Sequence, residues 1–252
     1  MTDTTRNKWF SFAPNLLTTF NLLSGVIGLY FAFKHQLNIA FTLMVIGALF
    51  DFSDGFVARL LKVSGELGKQ LDSLADMVTF GVLPGVIVFS IQYQMIIGEA
   101  GNFNNLSFLQ WVLLLSPLLI PALSALRLAK FNIDTRQSQS FIGLPTPANA
   151  LFFASLAYTI LYTNNPVSTF AANPIVIAVL TLLFSYLLVA EIPLFSLKFK
   201  SLKFKENIVR FSFLFFSALV IALLKIPGIA IVILLYIATS LVENMIVRQK
   251  MR

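Results

Sequence analysis

Four of the eleven acidic residues sit in or at the edge of long apolar stretches: Asp51 and Asp54 inside one, Asp72 and Asp76 at the start of the next. A carboxylate at bilayer depth is costly, so such a residue marks a functional site. The spacings are i, i+3 and i, i+4, which put each pair on one helix face. Carboxylates converging from two neighbouring helices repel one another unless cations neutralise them, and an all-oxygen donor set suits Mg2+, Mn2+ or Ca2+. Zinc is disfavoured, because the chain has no Cys and a single His, His35. The same composition leaves no disulfide, no thiol nucleophile and no His-rich metal site. A competing reading makes the four aspartates an interfacial charge cluster with Arg59, Lys62 and Lys69.

The face that carries Asp51 offers more. Gly47, Ala48, Asp51, Gly55 and Ala58 form a stripe of small residues down one predicted helix. In a membrane such a stripe permits close helix packing, and it equally makes a slot for a flat ligand. Arg59, one turn beyond Gly55, is placed to meet a phosphate.

The elements that must position these groups are membrane helices. Of 252 residues, 58% are hydrophobic, only 12% are charged, and 26 are Phe. A soluble domain carries about 25% charged residues, so ordinary cytosolic enzymes, secreted disulfide scaffolds and disordered tails are excluded. The sequence predicts an all-α, polytopic bundle of about eight transmembrane helices: 14–33, 38–61, 71–91, 108–129, 148–162, 174–189, 208–224 and 228–247. Each approaches the roughly 20 apolar residues needed to cross a bilayer. With both termini on one side, all of the 18 basic residues except Lys34 and Lys225 fall on that side. This bias makes that face cytoplasmic, so the net charge of +7 reports topology and not nucleic-acid binding. The first apolar stretch lacks a small-residue cleavage site and reads as a retained helix. Two basic and aromatic segments, Arg6–Phe12 and Lys198–Lys205, suit either interfacial anchoring or attraction of anionic lipid.

Written out, the acidic stretch is Asp51-x2-Asp54-Gly55-x2-Ala58-Arg59-x8-Gly68-x3-Asp72-x3-Asp76. It resembles the hallmark motif of the CDP-alcohol phosphotransferases, integral membrane enzymes of phospholipid synthesis, with every fixed position filled. Within that family the chain is similar to the bacterial and archaeal branch that makes phosphatidylserine. The likeness extends through Pro14-Asn15-Leu16-Leu17-Thr18 with Asn21, Ser24 and Gly25, through Asp72–Gly81, and through Ala125–Asn132 followed by Gly143-Leu-Pro145-Thr-Pro147. It covers roughly residues 12–150. Arg is commoner in the family where this chain has Lys130, a change that keeps the charge and loses the bidentate fork.

The resemblance implies a metal-bound CDP-diacylglycerol that gives its phosphatidyl group to L-serine and releases CMP. It implies two divalent ions, Mg2+ or Mn2+, held by Asp51, Asp54, Asp72 and Asp76, with Asp76 as the general base. Gly55, Ala58, Arg59 and Gly68 are then CDP contacts. Asn15 and Thr18, polar in an apolar helix, are either nucleotide contacts or helix–helix hydrogen bonds. A serine carboxylate calls for a cation, and Arg127, with Lys130 and Arg136 behind it, is the candidate; each can instead be a topology anchor. Asp134 reads as a surface loop carboxylate. The organisation expected is an interfacial segment (1–12), catalytic helices (13–190), and a basic loop with two further helices (191–252). A homodimer in the bacterial plasma membrane, its site facing the cytoplasm, completes the expectation. Two rivals stay open: the same chemistry with glycerol-3-phosphate or inositol as acceptor or with an archaeal-type lipid as donor, and a divalent-cation transporter whose aspartates line a permeation site.

Overall fold

The computed structural model describes residues 12–63, 65–98, 101–134, 141–194 and 207–250. Arg136, the Lys198–Lys205 run and nearly all of the N-terminal basic segment lie outside the described residues. Helix α1 spans Phe12–Phe33 and α2 spans Leu37–Leu61. α2 stops at Lys62, which takes a left-handed conformation, and Gly65 caps the start of α3, Glu66–Asp76. A π-helical stretch, Met77–Val82, follows α3 without a break and runs into α4, Leu83–Ile96. Pro84 has no N–H to return to the preceding turn, and the backbone widens there instead of keeping α-helical bonding.

Helices α5 (Phe108–Leu115) and α6 (Leu119–Ile133) form one rod, tightened at Ser116–Leu118 around Pro117. Then come α7 (Thr146–Tyr162), the short α8 (Pro166–Ala171), α9 (Pro174–Val189), α10 (Ile208–Leu224) and α11 (Ile226–Lys250). Two dipeptides, Phe141–Ile142 and Pro193–Leu194, pair antiparallel just outside α7 and α9. Gly143, at φ +77°, completes that link: a Cβ there would lie 2.6 Å from the Leu188 carbonyl oxygen, so only glycine fits. Its N–H reaches the Ile192 carbonyl (2.9 Å) and Leu144 N–H the Leu187 carbonyl (2.8 Å), fixing the entry to α7.

Among the described residues, five helical stretches are long and apolar enough to cross a membrane: Phe12–Phe33, Leu37–Leu61, Glu66–Ile96, Phe108–Ile133 and Ile226–Met245. α7, α9 and α10 contain 17, 16 and 17 residues, a rise of about 25 Å against a hydrocarbon core of about 30 Å. The polar and apolar faces are distributed as lipid demands. Phe33, Leu49, Phe52, Leu60, Phe215 and Leu223 are exposed, while Thr18, Asn21, Thr79, Ser124, Thr146 and Asn149 are buried. The apolar core lies around Met44, Phe80, Leu83, Ile87, Phe153 and Phe184, with Phe152 and Phe184 stacked at 3.7 Å between ring centroids.

Candidate active site

Helices α1 and α2 meet the π-helical stretch that follows the acidic helix α3 at Thr79. Its hydroxyl donates to the Asn21 carbonyl oxygen (3.0 Å). A Cβ on Gly25 would collide with that hydroxyl, and one on Gly47 would lie 2.7 Å from its methyl. Glycines on α1 and α2 therefore let both helices close onto the π-helical stretch directly after Asp76. The small-residue stripe of α2 thus divides. Gly47 is a packing contact. Gly55, two turns on, would meet only its own Arg59 guanidinium, at 3.4 Å, and with Ala58 stays half exposed. The open end faces the loop side, where Gly68 of α3 lies so that a Cβ would sit 3.1 Å from Asn15 Oδ1.

The division makes a prediction. Gly47→Ala drives a methyl into Thr79 and Asn21 and is expected to lower the melting temperature by several degrees, a core overpacking cost of roughly 1–3 kcal/mol. Gly55→Ala meets no such wall. It is expected to leave melting unchanged while raising KM for the nucleotide substrate, and thermal melting beside steady-state kinetics separates the two.

Asp51, Asp72 and Asp76 converge, with one carboxylate oxygen from each lying within 4.8 Å of the others. Asp54 is outside this set of three, is 6% exposed, and still interacts electrostatically with Asp51 and Asp72. It accepts a hydrogen bond from the Thr18 hydroxyl, which also lies 3.0 Å from the Pro14 carbonyl oxygen. Of the two readings open for Thr18, the helix–helix hydrogen bond is the one the geometry displays. Asp76 Oδ1 accepts from Asn21 Nδ2 (3.2 Å). Asn21 was not singled out as a site residue from the sequence, although Asn15, Thr18 and Asn21 recur every three residues along α1 and share its buried side.

The donor set suits a hard divalent cation. All the convergent atoms are carboxylate oxygens, and Asp72 Oδ1 is buried without a hydrogen-bond partner. Carboxylates this close, when ionised, need more counter-charge than the one arginine described beside Asp76 provides. Arg59 lies exposed at the end of α2.

Arg127 is not a surface anchor. It is 7% exposed, packed between α6 and α7, with Nη1 at 3.5 Å from the Thr146 hydroxyl and the guanidinium 5.4 Å from the Phe131 ring centre. Its Nε has no hydrogen-bond partner, and the group interacts electrostatically with Asp76. Lys130, one turn on, is exposed. α3 is tied to the end of α6 by Lys69 Nζ on the Asn132 carbonyl (2.6 Å) and Asn132 Nδ2 on the Ser73 hydroxyl (2.8 Å). These contacts hold the acidic helix against the arginine-bearing one.

Residues 11–191 match the CDP-alcohol phosphatidyltransferase family, a stretch that contains every group just described. The chain belongs to that family. Among characterised phosphatidyltransferases it is 32% identical over 182 residues to a CDP-diacylglycerol–serine O-phosphatidyltransferase of Bacillus subtilis, covering 72% of this chain and 89% of the relative. It is 34% identical over 175 residues to the archaetidylserine synthase of Methanothermobacter thermautotrophicus, covering 68% of this chain and 66% of the relative. A CDP-diacylglycerol–serine O-phosphatidyltransferase of Helicobacter pylori is 37% identical over 141 residues, covering 55% of this chain and 54% of that one. The chain thus spans nearly all of the first relative and about half to two thirds of the other two. Helices α10 and α11 lie beyond the phosphatidyltransferase match.

Proposed function

We propose that this phosphatidyltransferase moves the phosphatidyl group of CDP-diacylglycerol to the hydroxyl of L-serine, forming phosphatidylserine and CMP. The observation that carries the reading is the Asp51, Asp72 and Asp76 cluster standing beside a buried arginine, in a chain whose relatives include serine transferases from bacteria and an archaeon. In the reaction the serine oxygen bonds to the phosphorus of the phosphatidyl group. The bond from that phosphorus to the bridging oxygen breaks, and CMP leaves with the electron pair. The hydroxyl proton passes to the Asp76 carboxylate, which Asn21 holds through Oδ1. Asp51, Asp54, Asp72 and Asp76 would hold two divalent ions, Mg2+ or Mn2+, and with them would offset the charge of the pyrophosphate.

The half-exposed Gly55 and Ala58 admit the cytidine, with Arg59, Gly68 and Asn15 near the nucleotide phosphates. Thr18 acts in this site by holding Asp54. Arg127 takes the serine carboxylate, with Lys130 and Arg136 as weaker contributors to the local field. The short α7, α9 and α10 complete eight spans with both termini cytoplasmic, because only this count keeps the basic residues on one face. The site then opens to the cytoplasmic side of the cell membrane, catalytic helices occupy 13–190, and 191–252 adds a basic loop and two helices. A homodimeric assembly follows from the family resemblance alone.

The test is acceptor-dependent CMP release from CDP-diacylglycerol and Mn2+ or Mg2+ by the purified protein in detergent. Release that requires serine supports the assignment. Release with glycerol-3-phosphate or inositol, and none with serine, keeps the metal site and overturns the acceptor. Metal flux without CMP favours the transporter.

A further inference from the structure

Helix α11 carries a buried polar edge on an otherwise apolar rod. Ala230, Ile233, Tyr236 and Ser240 are buried at helical spacing, and Asn244 reaches the Pro193 carbonyl oxygen. The helix is clamped to α7 by one side chain: Ser155 Oγ donates to the Ile226 carbonyl (2.7 Å) and accepts from the Ala230 N–H (3.1 Å). At the other end of the pair, Leu144 lines one small cavity with Ile237 and Leu241. Together these contacts make α7 and α11 antiparallel and set their register. Tyr236 therefore lies level with the first turn of α7, where Thr146 contacts Arg127. Tyr236 is 7% exposed, its ring packs on Phe213 at 5.9 Å, and its phenol interacts electrostatically with the Arg127 guanidinium.

We infer that Tyr236 is a positioning residue that holds Arg127 for the carboxylate of the acceptor. The inference rests on the reading of Arg127 as the acceptor's cation. A buried guanidinium has five donors to satisfy. Asp76, the carboxylate described beside it, also accepts from Asn21 and belongs to the acidic cluster, so it offsets the guanidinium only in part. The neighbours described for Arg127 besides Asp76 are neutral: the Thr146 hydroxyl, the Phe131 ring and the Tyr236 phenol. A neutral oxygen dipole steadies the fork without cancelling its charge, so a carboxylated substrate still finds donors that Asp76 leaves free. The helix that supplies it lies outside residues 11–191, so the shared catalytic core is completed for this acceptor by an added element.

The experiment compares wild type, Tyr236→Phe, Tyr236→His and Arg127→Lys as full-length proteins in detergent. It measures KM for serine, KM for CDP-diacylglycerol, kcat and thermal melting. Tyr236→Phe keeps the ring against Phe213 and removes only the hydroxyl. It is expected to raise KM for serine roughly tenfold, the scale of a lost contact to a charged group. KM for CDP-diacylglycerol and kcat stay within about twofold. Tyr236→His, which returns a polar edge, recovers part of the serine KM relative to Phe and carries the same criterion if the Phe protein fails to fold. An unchanged serine KM in the Tyr236 variants, or equal shifts in both substrates, overturns the inference while Arg127→Lys still raises serine KM. If Arg127→Lys leaves serine KM unchanged as well, the reading of Arg127 falls and the inference with it.

Discussion

Asp76→Asn is expected to lower serine-dependent CMP release about a thousandfold at saturating substrates while the protein stays folded. The substitution keeps the shape of the side chain, and the amide oxygen can still accept from Asn21. What it loses is the site for the hydroxyl proton and one charged metal ligand. The residue cannot retreat to solvent: it is 9% exposed and ends α3 where the helix widens into the π-helical stretch. Asn21→Ala tests the geometry from the other side. It leaves the carboxylate ionisable but unheld, so its loss of kcat is expected to be nearer tenfold, the cost of one hydrogen bond to a charged group. Both variants are compared with wild type by single-turnover CMP release, which separates chemistry from product departure. A residual rate above about a tenth of wild type in Asp76→Asn would remove this residue from the role of base.

The acidic site was legible because helix geometry converts spacing directly into a shared face, and because carboxylates in apolar stretches are conspicuous. The same logic placed Arg59 at the end of its helix. It did not separate Asp54 from the other three, since i, i+3 spacing says that Asp51 and Asp54 share a face of α2 but not which of them α3 approaches. That depends on the crossing of α2 with α3 and on Thr18, a contact 36 residues away in the chain. Asn21 carried a signal that went unused, a polar side chain two steps along the three-residue rhythm that already singled out Asn15 and Thr18.

The helix bounds at Pro145 and Asn173 were legible: α7 begins two residues before the expected 148–162 span, and α9 matches 174–189. Pro84 hints at a disturbed helix but does not say how the backbone resolves it. The π-helical stretch also packs closely, with Thr79 bonded to α1 and a Cβ on Gly81 placed 3.2 Å from Ser124 Cβ of α6. Arg127 looked like either an anchor or a ligand group. Its burial decides against the anchor, and burial comes from α7, which folds over it because Gly143 can turn the chain. Tyr236 lay in helices that carry no motif, so only its position could reveal it.

Neutralising an acidic residue of the cluster is expected to separate stability from activity with opposite signs. Asp51, Asp72 and Asp76 bring three carboxyl groups within 4.8 Å, where each pair that is ionised repels by on the order of 1–4 kcal/mol between the aqueous and partly buried limits. The fold tolerates this repulsion because the site is organised around a cation. Asp72→Asn removes one charge at an oxygen that otherwise has no hydrogen-bond partner. In chelator, with no cation to offset the remaining repulsion, the variant is therefore expected to melt about 2 °C or more above wild type. Mn2+ reverses the order: it binds the native wild-type cluster and raises the wild-type melting temperature by mass action, but adds little to the variant. Activity follows the metal and not the stability, and the variant releases almost no CMP. A variant that melts below wild type in chelator would mean that the three carboxylates are held by contacts within the protein. The cluster would then be a structural network, and its convergence would lose its force as evidence for metal-dependent transfer.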